Sequence, residues 1–161
     1  ARRRLLGRER WEDRMSTGPV AGVWSAMEVA ASGLTAERSR MNIIASNLAN
    51  ARTTRDANGQ PYRRLDPVFR SNQLAPGSFD PVLRAMTTVR MDGVRPDPNP
   101  GQMVYDPGHP DANAQGYVEY PNVNVVTEMV NLMTASRAYE AGVTALTTAV
   151  SMAERALAIG K

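Results

Sequence analysis

His109 and Asp111 form the one histidine–aspartate combination in the sequence, within the segment Pro107–Asp111. A histidine near a carboxylate can serve as a general base, but catalysis also needs a nucleophile or a second functional group in reach of the substrate. The sequence contains no cysteine, no recognisable serine nucleophile motif and no glycine-rich phosphate loop. We therefore predict that His109 orders a proline-rich loop and that the protein is not an enzyme.

The remaining ionisable and sulfur-containing residues predict neither a cofactor nor a metal ion. Glu28 and Glu37 are nine residues apart, on different faces of the helix predicted around them, and so do not form a carboxylate pair. A single histidine and the absence of cysteine argue against the usual metal-ligand sets. Methionine is polarizable and could bind a metal, but packing is the better interpretation of its helical spacing. The methionines concerned are Met27, Met41, Met129, Met133 and Met152.

The net positive charge of the chain is confined to its beginning. Residues 1–14 hold six arginines and three acidic residues, whereas residues 15–161 hold 13 basic and 13 acidic residues. Proteins that bind nucleic acid carry a basic patch on the folded part of the chain. We therefore expect no nucleic-acid partner and no small-molecule substrate, and interpret residues 1–19 as a basic, disordered extension. Contact of its arginines with anionic lipid or nucleic acid is the alternative.

The residue pattern of two long segments, one toward each end of the sequence, predicts amphipathic helices, and these helices would position the insert between them. In residues 20–50, large apolar residues recur every seven positions, and a second row three positions later consists of smaller or apolar residues interrupted once by the charged Glu37. Residues 122–161 repeat in the same way and contain no proline. At 1.5 Å per residue, a helix over Val125–Ile159 would be about 50 Å long. The residues that we expect to pack between the helices or between subunits are Met27, Leu34, Met41, Ile44, Asn47, Leu48, Asn50, Met129, Leu132, Met133, Tyr139, Val143, Leu146, Val150 and Leu157.

The insert between the helices, residues 51–121, holds ten of the eleven prolines. Asn58-Gly59 favours a tight turn, because both residues tolerate a positive φ. Val82–Met91 and Gly116–Tyr120 have the composition of short strands. The prolines of Val94–Pro110 exclude a helix and favour an extended loop.

The predicted fold class is therefore mainly α with a small β-and-loop insert. Two long terminal helices, paired in a coiled-coil-like manner as one domain, flank this compact insert. The flanks of both helices are rich in alanine, glycine and serine, which bury little apolar area. We therefore expect the helices to complete their burial against other subunits, so that folding is coupled to assembly.

Asn47 and Asn50 close the first predicted helix. Asparagine tolerates the left-handed conformation common at helix C-termini and can satisfy the last free carbonyls, which we expect of Asn50. For Asn47 we expect an amide that bonds across a subunit interface. Replacement of Asn47 by alanine would then impair assembly.

Short motifs at both ends of the sequence and in its middle resemble those of one protein family. Ala45–Asn50, followed by Thr53-Thr54, resembles an N-terminal signature, and Asn122–Met133 with Ser136–Ala141 resembles a C-terminal signature. Both are signatures of the axial proteins that form the rod, hook and hook–filament junction of the bacterial flagellum. Three further segments resemble the proximal-rod member of that family: residues 58–64, 105–112 and 115–118.

The resemblance implies a structural subunit of the proximal rod in the flagellar basal body, within the periplasm. Such subunits are exported by the flagellar type III system and polymerise into the tubular drive shaft that transmits motor torque. The implied partners are further copies of the chain, the rod proteins FlgB, FlgF and FlgG, the adaptor FliE, the MS-ring region and the export apparatus. The terminal helices would line the inner part of the tube, with the insert further out. Another rod or hook protein, or a basic nucleic-acid- or membrane-surface-binding module, is the alternative.

Overall fold

The structure, a computed structural model, describes residues 19–75, 77 and 80–159, and about half of them are helical. The basic extension predicted for residues 1–19 therefore lies, apart from Pro19, outside the described residues. In chain order the elements are α1 (Pro19–Ala49), β1 (Leu65–Gln73), α2 (Pro81–Ala85), β2 (Thr87–Pro96), β3 (Gln102–Tyr105), β4 (Tyr117–Tyr120) and α3 (Val125–Ile159).

Both predicted terminal helices are present. Helix α1 begins at Pro19, which suits a first turn because proline lacks an N–H that would remain unpaired there. It ends beside Asn50, whose side-chain amide donates to the Ser46 carbonyl at 2.9 Å. The predicted capping of a last carbonyl is thus confirmed. The left-handed conformation predicted for Asn50 is wrong, because no described residue other than glycine has a positive φ.

Helix α3 runs over 35 residues, with the bounds predicted from the proline-free segment. Asn124 precedes its first turn, and its side-chain oxygen accepts a hydrogen bond from the Thr127 N–H at 3.0 Å. An asparagine in this position satisfies one of the N–H groups that the first turn leaves free. The start of α3 is therefore specified locally, by a single capping side chain.

Helices α1 and α3 contact each other in both compact units of the chain. The chain divides into two compact units, and each contains part of both helices. In the unit formed by Ala36–Arg70 and Met91–Tyr139, Asn47 near the end of α1 bonds Glu128 near the start of α3. In the unit formed by the remaining residues, a Cβ added at Gly142 would lie 2.9 Å from Leu34 Cδ2. Glycine at position 142 thus permits a close approach of the two helices.

The insert contains two small two-stranded sheets, β1–β2 and β3–β4. Strand β4 confirms the short strand predicted before Pro121, and it pairs antiparallel with β3, with Val104 opposite Val118. Strand β3 lies inside the segment predicted to be an extended loop. Prolines flank this strand but do not interrupt it, so its residues are free to pair with β4. Val118 is buried, whereas all of β3 is exposed.

The strand predicted over Val82–Met91 is correct only in its second half. Residues Pro81–Ala85 form the short helix α2, and β2 begins at Thr87. The Asp80 side chain caps α2 by accepting from the Val82 N–H at 2.8 Å, and Pro81 occupies the first turn. This capping signal outweighs the strand preference of the two β-branched and apolar residues that follow it.

The turn predicted at Asn58-Gly59 is present, with Gly59 at a φ of 77°. Asp56 organises it, because its Oδ1 accepts hydrogen bonds from the backbone N–H groups of Asn58 at 2.8 Å and Gln60 at 3.1 Å. The flanking residues are not strands, so this turn does not close a β-hairpin.

The turn at Asp56 is expected to keep its stability until the pH falls below the ordinary pKa of an aspartate. Hydrogen bonds from the backbone of Gln60 and Asn58 hold the pKa of Asp56 below its ordinary value of 3.8. A carboxyl whose pKa is lowered by folding stabilises the folded form above that pKa, and this contribution is lost as the pH falls through it. An NMR titration of the Asp56 carboxyl should give a midpoint below 3.8, and Asp56→Asn should abolish the pH dependence of the turn. A midpoint above the ordinary value would contradict this assignment.

Candidate functional site

A cluster of buried polar groups joins α1, the segment before β1 and the first turn of α3. We call it the polar cluster and define it as Asn47, Tyr62, Arg64, Glu128 and the backbone of Leu65. All of its members belong to one compact unit. Asn47 and Glu128 are each only 1% exposed, and they are the buried polar side chains among the described residues. Such groups are costly to bury unless they are fully hydrogen-bonded.

Asn47 uses its full hydrogen-bonding capacity inside the chain. Its side-chain Nδ2 donates to the Leu65 carbonyl at 2.9 Å and to Glu128 Oε2 at 3.2 Å. Its Oδ1 accepts from the Tyr62 hydroxyl at 2.9 Å and from the Leu65 N–H at 2.8 Å. An asparagine side chain offers two donors and two acceptor positions, so no position is left over. The structure therefore gives Asn47 an internal role in place of the inter-subunit bond that the sequence suggested.

Glu128 is a buried carboxylate held by two donors. Its Oε1 accepts from Arg64 Nε at 2.8 Å, and its Oε2 accepts from Asn47. Burial lowers the pKa of Arg64, but the hydrogen bond and the charge of Glu128, together with the charge of Asp66, outweigh it and raise the pKa. Arg64 thus remains a cation and compensates the buried carboxylate. A single ion pair links the start of the insert to α3.

Arg64 is also anchored on its other sides. Its Nη1 donates to Asp66 at 2.6 Å, and its backbone N–H donates to Asn122 Oδ1 at 2.9 Å. The Arg64 carbonyl accepts from the Asp97 N–H at 2.7 Å. Asn122 in turn donates to the Asn99 carbonyl. These contacts tie the loop after β2 and the approach to α3 to the same arginine.

The polar cluster has the chemistry of a structural clasp. The side-chain hydrogen bonds that Asn47 and Glu128 make all run to other members of the cluster, so these two buried groups hold the elements of the unit together. The described residues also contain no group of three or more histidine, aspartate or glutamate side chains placed to hold a metal ion. Neither α1 nor α3, nor the shorter helix among the described residues, has the length and apolar content needed to cross a membrane.

A second polar contact involves the histidine that first suggested chemistry. His109 Nδ1 accepts a hydrogen bond from the Asp111 N–H at 3.1 Å, which orders the loop between β3 and β4 as predicted. The Asp111 carboxylate accepts from the Thr54 hydroxyl at 2.7 Å and pairs with Arg55 at 2.9 Å. The Asp111 carboxylate therefore fixes the segment that follows α1, and its Oδ2 lies 4.0 Å from His109 Nδ1, beyond hydrogen-bond distance.

The structure distributes the residues predicted to pack over three environments. Ile44 and Asn47 are buried. The half-buried residues are Met27, Leu34, Met41, Leu48, Asn50, Leu132, Tyr139, Leu146 and Val150. The exposed residues are Met129, Met133, Val143 and Leu157. Packing of this last group against other subunits stays a prediction.

The buried face of α3 is shifted by one residue from the predicted seam. Glu128 and Ala135 are buried, and Gly142 continues the same face, whereas Met129 and Val143 next to them are exposed. Of the two rows predicted for α3, Leu132, Tyr139 and Leu146 lie beside this face and are half-buried, whereas the row of Met129 and Val143 lies outside it, because the close contact uses small residues and a compensated charge. Tyr62, Arg64 and Glu128 were missed. The sequence held one signal for Glu128, which lies seven positions before Ala135 and therefore on the same side of α3 as the small residues.

Comparison with known proteins identifies relatives over most of the chain. The family described as "Flagella basal body rod protein" matches residues 27–55, and that described as "Flagellar basal body rod FlgEFG protein C-terminal" matches residues 114–159. The chain is similar to "Flagellar basal-body rod protein FlgC" of Escherichia coli O6:H1, with 46% identity over 83% of this chain and 95% of that protein. The proteins of the same name from Borreliella burgdorferi and Bacillus subtilis are both 42% identical, over 86% and 84% of this chain and 97% of each relative.

Proposed function

The chain belongs to the FlgC family of flagellar basal-body rod proteins, and from this premise we infer what its structure does within the rod. It is a structural subunit located in the basal-body rod, and its family is not one of enzymes. We propose that it is part of the proximal rod in the periplasm, that it reaches the rod through the flagellar type III system, and that it transmits motor torque. The torque role is supported by the polar cluster, which connects the insert to both helices through hydrogen bonds and an ion pair.

Shear on the rod would tend to slide α1 and α3 past each other. Few side chains are buried between α1 and α3, and small residues dominate the contact, so apolar packing alone resists sliding weakly. Hydrogen bonds have fixed geometry, and Asn47 and Glu128 connect the two helices directly. Sliding by one turn would break these contacts and strand a buried charge, which is strongly unfavourable. The cluster therefore supports a subunit that keeps its shape under load.

The chain assembles with other flagellar rod components. Among them we propose FlgB, FlgF and FlgG, the adaptor FliE and the MS-ring region as neighbours, in addition to further copies of the chain. We also propose that α1 and α3 extend their pairing into coiled-coil-like contacts with these neighbours. The support is the exposed apolar surface of the helices, which includes Trp24, Met133 and Leu157 at 66%, 56% and 64% exposure. Surfaces of this kind are typical of chains that complete their burial on assembly.

Mass spectrometry of purified hook–basal bodies tests the proposed function. We expect the chain to co-purify in fixed ratio with the other rod proteins, and we expect a strain deleted for the gene to form no rod. The same strain carrying the wild-type gene on a plasmid is the matched control and should regain rods and motility. Normal basal bodies in the deletion strain would overturn the proposal.

A further inference from the structure

The turn over residues 56–60 contains the one asparagine–glycine pair of the sequence, Asn58-Gly59. Such a pair holds an electrophile and a nucleophile in one short segment, here the side-chain carbonyl carbon of Asn58 and the backbone nitrogen of Gly59. Because glycine has no Cβ, no side chain hinders the approach of these two atoms. Groups joined in one molecule react much faster than the same groups free in solution. Both residues are exposed, so water reaches them.

We infer that Asn58 is a site of covalent self-modification, at which the asparagine is converted to aspartate or isoaspartate. The Gly59 nitrogen gives its proton to water and bonds Asn58 Cγ, while the Cγ–Nδ2 bond breaks and the leaving nitrogen takes up a proton from water to become ammonia. Water then opens the resulting succinimide ring. Its addition at Cγ gives aspartate, and its addition at the backbone carbonyl of position 58 gives isoaspartate. The net change is one water consumed and one ammonia released.

The folded turn holds both reacting groups away from this reaction through Asp56. The Gly59 N–H donates to the Asp56 carbonyl at 3.0 Å, and Asn58 Nδ2 donates to Asp56 Oδ2 at 3.2 Å. The Asn58 and Gln60 N–H groups both bond Asp56 Oδ1. The Asp56 carboxylate also disfavours the deprotonated nitrogen that attacks, because like charges repel. Asp56 is therefore a positioning residue that slows the modification of its neighbour.

The modification weakens the turn in which it occurs. A carboxylate at position 58 cannot donate to Asp56 Oδ2 and brings a second negative charge beside it. Isoaspartate also lengthens the backbone by one carbon atom and so displaces the N–H groups that bond Asp56. The turn leads into Tyr62, whose N–H donates to the Thr53 carbonyl at 3.1 Å and whose hydroxyl donates to Asn47. Conversion of Asn58 is thus expected to loosen the approach to the polar cluster.

Peptide mass spectrometry of the purified full chain tests the inference. The chain is incubated near neutral pH, either folded or unfolded in urea, and the peptide that contains position 58 is followed for aspartate and isoaspartate. We expect conversion to be at least about tenfold faster in urea, from the hydrogen bonds that unfolding removes. Asp56→Ala should raise the rate in the folded chain by about tenfold for the same reason. It should leave the rate in urea unchanged, because Asp56 acts through the folded turn.

Asp80→Ala is the matched control. Asp80 also accepts a hydrogen bond from the backbone N–H two positions later, that of Val82 at 2.8 Å, but it borders no asparagine–glycine pair. Its replacement should leave the conversion of Asn58 unchanged. Asn99 is an internal control, since it precedes Pro100, whose nitrogen carries no proton and cannot close the ring.

The other outcomes overturn the inference. Absence of conversion at position 58 in urea would mean that this is not a modification site, and equal rates in the folded and unfolded wild-type chain would mean that the turn does not restrain it. An effect of Asp56→Ala that persists in urea would exclude a role of the folded turn. If circular dichroism shows that Asp56→Ala does not fold, Asp56→Asn replaces it. This variant keeps an acceptor oxygen but no charge, and it should give a smaller increase, whereas no increase would refute the role of Asp56.

Discussion

Replacing Asn47 by alanine is expected to lower the free energy of unfolding by about 3–5 kcal/mol, since a buried polar group left without a partner costs about 1–3 kcal/mol and water can reach the half-buried groups of Tyr62 and Leu65. The substitution strands the Tyr62 hydroxyl, both backbone groups of Leu65 and one oxygen of Glu128. A loss of this size is a large part of the roughly 5–15 kcal/mol that stabilises a typical domain. Urea unfolding of the purified chain, followed by circular dichroism, would measure it.

The neighbouring asparagine provides the matched control. Asn50 is half-buried, and its side chain makes two local bonds, donating to the Ser46 carbonyl at 2.9 Å and accepting from the Thr53 hydroxyl at 3.2 Å. Asn50→Ala should therefore cost about 1 kcal/mol, as the loss of a local helix-end contact within reach of water does. If the two alanine variants unfold at the same urea concentration, the internal role assigned to Asn47 is wrong. Motility of cells carrying each variant should follow the same order.

Replacing Arg64 by methionine is expected to destabilise the fold by about 3–5 kcal/mol, the usual cost of removing one partner from a buried ion pair. The methionine fills much of the same space, so the effect reports mainly on the charge left behind. Glu128 is 1% exposed and would keep only its bond from Asn47. The measurement is again the urea midpoint, which should shift by roughly 1–2 M if the slope is that of a small protein.

A double variant separates the charge effect from a loss of packing. Arg64→Met combined with Glu128→Leu removes both charges, and paired removal from a buried site is often neutral or stabilising. The double variant should therefore be more stable than Arg64→Met alone. Arg55→Met is the control, since Arg55 pairs with Asp111 in an exposed position and should change the stability little. Additive losses in the double variant would refute the assignment of Glu128 and Arg64 as a compensated pair.

The sequence predicted the helices because their signals are local. The proline-free segment and its periodicity specify the extent of α3, and the asparagine before it specifies the start. Signals of the same kind, Asp80 followed by Pro81, were present for α2 but were masked by the strand composition of the residues after them. The turn at Gly59 was predicted because only a few residue types tolerate its backbone conformation.

The polar cluster could not be predicted because its contacts join residues that are distant in the sequence. Nothing around Glu128 indicates that Arg64 compensates its charge, and an isolated charge on an apolar face normally argues for exposure. Asn47 was expected to bond across a subunit interface, whereas the structure places its hydrogen-bond partners in the same chain. The periodicity analysis ranked positions by size and apolarity, and so placed Met129 in the contact that Glu128 and Ala135 occupy.

The separation of Asn47 from its partners along the chain bears on the order in which the subunit folds. Tyr62 and Leu65 are 15 and 18 residues from Asn47, whereas Glu128 is 81 residues away. Each doubling of a closed loop costs about 0.6 kcal/mol of chain entropy, so the distant contact is the harder one to reach. Until α3 packs against the rest of the unit, neither Arg64 nor Asn47 has the Glu128 carboxylate as a hydrogen-bond partner. A chain that folds as it joins the rod would thus form its contact between Asn47 and Glu128 last, when both terminal helices are in place.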